Sequence, residues 1–181
     1  MGDPKKHRRK FSKPSHPWQK ERIEAEKIIM KDYGLRRKQE IWKMSSLLQT
    51  FLNRAKTIIA QRTVQSEIEQ KQLLTRLIKL GLIKPNAKVE DVLNLTMKDM
   101  LERRLQTIVV RKHISKSMLQ ARQLITHEHI AVGARKITSP SYLVSTSEES
   151  HIKLIDPINL ETPPPAAPEK EKAVEVKAEA K

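Results

Sequence analysis

Apolar residues recur at helical spacing through the first half of the chain and change to short runs of strand character only near residue 130. Ile41, Met44, Leu48, Leu52, Ala55 and Ile59 fall on one stripe of a helix that leaves Arg54 and Lys56 to the side. An earlier helix is predicted over about 18–33, with Gly34 as its C-terminal cap. A later one, over about 67–80, uses Leu73, Leu74, Leu77 and Leu80 and ends at Gly81. Glu67 and Lys71 are spaced for a helix ion pair. Together these helices predict a small bundle. Trp18 and Trp42 could stack on bases, but their expected role is packing against it.

The second half mixes elements. Thr96 followed by Asp99 resembles a capping box, and Leu101, Leu105, Ile108 and Val109 continue one helical face. That arrangement turns Arg104, Arg111 and Lys112 outward. Ser117 and Gln120 make a second box, opening a helix with a narrow apolar face of Met118, Ala121, Leu124 and Ile125. Arg122, Gln123 and His127 lie elsewhere on its circumference. Residues 130–132 predict a strand, Gly133-Ala134 a tight turn, and 135–138 the returning strand. Residues 142–144 and 151–155 predict further strands around a polar turn at 145–150. The expected fold class is therefore α+β, a helical domain followed by a small α/β domain with two helices on a short mixed or antiparallel sheet.

Charge gives that second domain a purpose. Between residues 103 and 137 eight Lys or Arg stand against one acid, Glu128, and the whole chain carries +15 with a pI near 10.1. A folded basic surface of that density points to a polyanion, nucleic acid above all. Aromatic residues make up 3% of the chain, which argues against a base-stacking single-strand module and for folded RNA read by shape and phosphates. Residues 1–17 form a basic arm with Lys5, Lys6, Arg8, Arg9 and Lys10, expected to be extended and to lie along phosphates. From residue 158 a Pro, Ala, Glu and Lys tail with five acids and four Lys beyond residue 160 reads as disordered. The expected organisation is thus an arm at 1–17, a helical RNA-binding domain at 18–100, a small α/β RNA-binding domain at 101–157 and a tail at 158–181. The absence of Cys excludes disulfides and Cys-based zinc sites. No apolar run approaches a membrane span, and the basic N-terminus lacks an apolar signal core, so a soluble, unexported protein is expected.

Several motifs in the same order carry a resemblance. ARQLI, a His-x-x-Ile-x-Val strand, a tight turn, a basic pair and SPSYLVS resemble the small RNA-binding domain of the small-subunit ribosomal protein S-four family. MGDPKK, SHPW, YGLRRKQEIW and ERRLQTIVVRKH are similar to the archaeal branch of that family, and the likeness runs from residue 1 to about 155. It implies direct binding to small-subunit rRNA, nucleation of subunit assembly, and support of translation accuracy near the place where messenger RNA enters. It also implies a cytoplasmic, ribosomal location and a neighbouring S-five protein. The RNA face it implies lies on the two helix N-terminal regions and the turn after the first strand, hence Arg104, Lys116, Ser117, Gln120, Gln123, His127, Arg135 and Lys136. Their basic neighbours Arg111, Lys112 and Arg122 complete the expected set, with the arm's five cations. Gln106 stands where the family commonly has Asp, and Gly133-Ala134 where it commonly has Asn-Gly.

Catalytic readings fare worse. His127-Glu128-His129 invites a metal, but two His at that spacing do not share a helix face. Ser115 and Ser117 beside His113 could be drawn as nucleophile and base, yet capping and RNA contact account for them better. No phosphate-binding Gly loop occurs among four glycines. No enzyme, cofactor, metal, small-molecule substrate or membrane partner is expected. A biogenesis factor of the same family acting on precursor rRNA is the alternative, and a stand-alone RNA-modification enzyme a more distant one.

Overall fold

The bundle pattern becomes three long helices, α1 (Lys20–Asp32), α2 (Lys38–Ala60) and α3 (Val64–Lys79), in a computed structural model that describes residues 9, 11–61 and 63–155. Short α4 (Val89–Val92) and α5 (Met97–Glu102) lead to α6 (Leu105–Arg111) and α7 (Met118–Thr126). Strands β1 (Ile130–Val132) and β2 (Arg135–Lys136), helix α8 (Thr146–Glu149) and strand β3 (Ile152–Leu154) close the order. The sheet is antiparallel throughout and ordered β2-β1-β3. The fold is α+β, mostly helical with one small sheet. The expected disordered tail, most of the extended arm, and with them Lys5, Lys6, Arg8 and Lys10, lie outside the described residues.

Helix α2 corrects the expected stripe. Its buried positions are Ile41, Met44, Phe51, Ala55 and Ile58, with Leu48 half-buried between them. Those steps alternate three and four residues, the 3.5-residue period of a seam that keeps facing its partners. The expected stripe stepped by four twice running and drifted off that seam. Leu52 is accordingly only half-buried, and Ile59 is exposed while Ile58 is buried. Phe51, Ala55 and Ile58 pack with Leu73, Leu77, Val89, Val92 and Met100, whereas Ile41 and Met44 pack with Leu35 and Leu101. No ion pair joins Glu67 to Lys71.

The tryptophans divide. Trp42 packs as expected, its Nε1–H donating to Glu26 Oε1 at 3.1 Å and its ring lying 6.1 Å from that of Phe11. Trp18 does not, being 89% exposed. Helix α1 starts only at Lys20, and the preceding turn is fixed by Arg22, which donates to the carbonyls of His16 and Pro17 at 3.1 and 2.9 Å.

Helix ends follow local chemistry. The Thr96–Asp99 box forms in full. At α7 the Ser117 hydroxyl accepts from the Gln120 amide, but Gln120 Oε1 returns to the Lys116 amide at 2.8 Å, so the expected reciprocal box is only half made. Four helices end in a left-handed residue followed by an amide bonded back over five residues, as in Leu35 N to Met30 O and His129 N to Leu124 O. Gly34 and Gly81 occupy two of those positions, His113 and Glu128 the others.

The expected continuous helix after Thr96 is broken at Arg103-Arg104. There the backbone pairs with the segment read as a strand over 142–144: Leu105 N donates to Tyr142 O at 2.8 Å and Val144 N to Arg103 O at 3.0 Å. That segment is thus a bridge and not a strand. The polar turn at 145–150 is helix α8, with Ser145 and Glu148 as its capping box. Leu105, Ile108, Val109, Ala121, Leu124, Ile125, Ile130 and Ile152 form one aliphatic core between α6, α7 and the sheet.

Candidate nucleic-acid interface

Packing decides which face of α7 remains free. Ala121, Leu124 and Ile125 are buried against the sheet, so Gln123 and His127 are exposed, while Met118, expected on the apolar face, is only half-buried. Lys116 and Ser117 stand exposed at the helix start, where free amide groups and the helix dipole favour an anion. Gln120, half-buried, is committed to capping. After β1, Gly133 at φ +63° turns the chain in two residues, with Val132 opposite Arg135. Arg135 and Lys136 therefore sit on an edge strand, both exposed. Lys116, Arg135 and Lys136 make no ion pair.

The other cations of the segment are engaged. Arg103 pairs with Glu149 Oε2 at 2.8 Å, Lys112 donates to the Glu149 carbonyl, and Arg111, which is exposed, pairs with Glu102 at 2.8 Å. Arg104 corrects the expectation most sharply. Expected to face outward, it is 1% exposed, because the helix break turns it inward toward α2. Its Nη2 donates to Glu40 Oε2 at 2.7 Å, and Arg122 Nη2 donates to Glu40 Oε1 at 3.0 Å. Burial pushes the Glu40 carboxyl up, but the hydrogen bonds and charges of Arg122 and Arg104 outweigh it and hold the group below its ordinary range. Burial lowers the Arg104 guanidinium and Glu40 opposes that, leaving it lowered but, as an arginine, charged at neutral pH. Of the eight cations, three remain unpaired.

Gln106 is a second inward group. It is buried, and its Nε2 donates to Met118 O at 2.8 Å and Gly34 O at 3.2 Å, tying the start of α7 to the α1–α2 connector. An Asp could not donate there. The His127-Glu128-His129 run is the end of α7, with the two rings 6.4 Å apart, and no group of three or more metal-ligating side chains occurs among the described residues. No described helix is long and apolar enough to cross a membrane.

Sequence reasoning missed a basic cleft of about 360 Å³ between the start of α2 and the small domain. Arg36, Arg37, Lys43, Arg104, Arg122 and Ser141 line it, with Glu40 in its wall. The signal was the Arg36-Arg37-Lys38 run immediately before a helix, used above only as a motif.

A helical bundle joined to a basic two-helix, three-strand unit defines an S4-domain protein, and the S4 domain profile matches residues 103–150. Relatives extend the match. The chain is 50% identical over 152 residues to small ribosomal subunit protein uS4 of Ignicoccus hospitalis, covering 84% of this chain and 92% of that one. It is 45% identical over 172 residues to the uS4 protein of Saccharolobus solfataricus, covering 94% and 95%. The chain belongs to the archaeal uS4 family of small-subunit ribosomal proteins. That family is structural and not enzymatic.

Proposed function

We propose that this chain is a structural constituent of the small ribosomal subunit that binds its rRNA directly, helps nucleate assembly and supports accurate decoding where messenger RNA enters. The observation that carries the reading is the trio Lys116, Arg135 and Lys136, exposed and unpaired on a folded domain of a ribosomal family. Phosphates are the natural counter-charge, with Gln123, His127 and the Ser117 hydroxyl adding polar contacts. Arg111, Lys112 and Arg122 are partly accessible and become secondary contacts, while Arg104 supports the face from within. The arm cations Lys5, Lys6, Arg8, Arg9 and Lys10 extend the grip along neighbouring RNA. The working unit comprises a helical RNA-binding domain at 18–100 and a small one at 101–157. An S-five protein is the expected neighbour, on the ribosome in the cytoplasm.

Replacing Arg135 and Lys136 with Ala should weaken binding to small-subunit rRNA by about 1.5–3 kcal/mol in total, with the melting temperature unchanged. The slope of log affinity against log salt should become shallower by about 1 to 2, as for two lost phosphate contacts. Unchanged affinity and slope in filter binding would sink the reading. Stoichiometric co-sedimentation with mature small subunits separates a constituent from a biogenesis factor, which would track precursor particles.

A further inference from the structure

We propose that the outer face of α1, with Trp18 as its anchor, docks an amphipathic helix of another protein, one with a Lys or Arg near each end of an aliphatic stripe. The inference rests on the small-subunit reading above and adds a protein contact to its RNA contacts.

Helix α1 has two faces, and the fold uses one. Arg22, Glu26 and Ile29 turn toward α2, where Glu26 is buried and accepts from Trp42. Glu21, Ala25, Ile28 and Asp32 form a second stripe, spaced four, three and four, and all of them are exposed. Trp18 precedes that stripe by three residues, in the turn before the helix. Alternating steps of three and four make the 3.5-residue period by which one helix follows another.

The apolar part of this face is large and held ready. Trp18 is 89% exposed and Ile28 62%. Trp is among the side chains most enriched at the few positions that carry the binding energy of protein interfaces. Arg22 donates to the carbonyls of His16 and Pro17 and to Glu26, so the turn that bears Trp18 is fixed before a partner arrives. Little ordering cost is then left to binding.

Charge selects the occupant. The chain carries +15, yet the exposed charges of α1 are three Lys, at 20, 27 and 31, and three acids, at 21, 24 and 32, which cancel. Glu24 pairs with Lys20 at 4.0 Å, whereas Glu21 and Asp32 pair with no cation among the described residues. Those two carboxylates lie in the stripe itself, about 16 Å apart along the axis, with Ala25 and Ile28 between them. A phosphate backbone laid along the stripe would meet both acids. A helix with a base near each end and aliphatic side chains between meets opposite charge at its ends and apolar surface at its middle. Lys20, Lys27 and Lys31 share one edge of the stripe and favour acids on that side of the partner.

The test uses small subunits reconstituted from the full chain, rRNA and the remaining small-subunit proteins. A photoreactive phenylalanine analogue at position 28 should crosslink to a Lys- or Arg-bearing helix of one other protein. The yield should exceed that from position 64, an exposed Val on α3, at least about tenfold. Trp18→Ala should lower the crosslink at least about tenfold, with melting and affinity for a bare rRNA transcript unchanged. Glu21→Gln with Asp32→Gln should lower it about threefold. A crosslink to rRNA, to a second copy of this chain or to a segment without such a helix overturns the proposal. So does a yield no higher than from position 64, or a crosslink that Trp18→Ala leaves intact. If the unaltered chain fails to enter the particles at all, the constituent reading falls and the proposal with it.

Discussion

Glu40→Ala should destabilise the protein by about 3 kcal/mol, the low end of the cost of leaving a buried charge without its partner. Arg104 would keep its guanidinium in a site 1% exposed, and Arg122 would stand beside it with nothing to neutralise either. The low end applies because Glu40 itself is 15% exposed and water can reach the vacated space. Glu40→Gln should cost less, since its amide oxygen still accepts from one arginine. Acid sensitivity follows from the same group. The folded-state value of Glu40 is depressed, so its contribution is fully present above the ordinary value of 4.5 and is lost as pH falls through the folded value. Glu148, held low mainly by hydrogen bonds from the Ser145 backbone and hydroxyl, acts in the same window. Glu40→Gln should therefore flatten the acid limb of a stability–pH curve without abolishing it. A wild-type limb retained in full would mean that Glu40 is not the clasp described here.

Gly34→Ala should cost about 2–5 kcal/mol, the sum of two independent penalties. Gly34 sits at φ +57°, where an L side chain costs about 1–2 kcal/mol. Its added Cβ would also stand 2.7 Å from Met118 Cβ and 3.0 Å from Gln106 Nε2, and overpacking of this kind costs about 1–3 kcal/mol. Met118→Ala should give no rescue, because the encroaching atom is the Cβ that alanine keeps. Urea unfolding of the single and double variants measures both points. A loss below about 1 kcal/mol would show that α7 does not approach the α1–α2 connector this closely.

What was legible in the sequence was local. Thr96 with Asp99, Ser117 with Gln120, Gly34 and Gly81 announce helix ends within four residues of the groups they satisfy, and Gly133 announces its turn. The errors were tertiary. Nothing near Arg104 reveals that its partner is Glu40, 64 positions away, or that Arg122 reaches the same carboxylate across 82. A stretch with eight bases and one acid reads as an open cationic face, yet acids from α2, α5 and α8 had been assigned to four of its arginines. The α2 stripe failed for a related reason. Which of Phe51 and Leu52, or Ile58 and Ile59, turns inward depends on whether the seam repeats every 3.5 or 3.6 residues, and that is set by the helices packed against it. For the interface, the α7 start and the edge strand were legible from motif order. The cleft was not, because its residues come from the start of α2 and from positions between Arg104 and Ser141, far away in the sequence.

The clasp of Glu40 by two distant arginines also sets a timetable for synthesis. Translation at about 5–20 residues per second separates the two ends of an 82-residue span by roughly 4–16 seconds. Until Arg104 is made, 64 residues after Glu40, the nascent bundle carries that carboxylate without either partner. The carboxylate lies in the first turn of α2, where the helix dipole favours a negative charge. An emerging α2 is therefore electrostatically supported at its own N-terminus until Arg104 and then Arg122 leave the exit tunnel and take the carboxylate over.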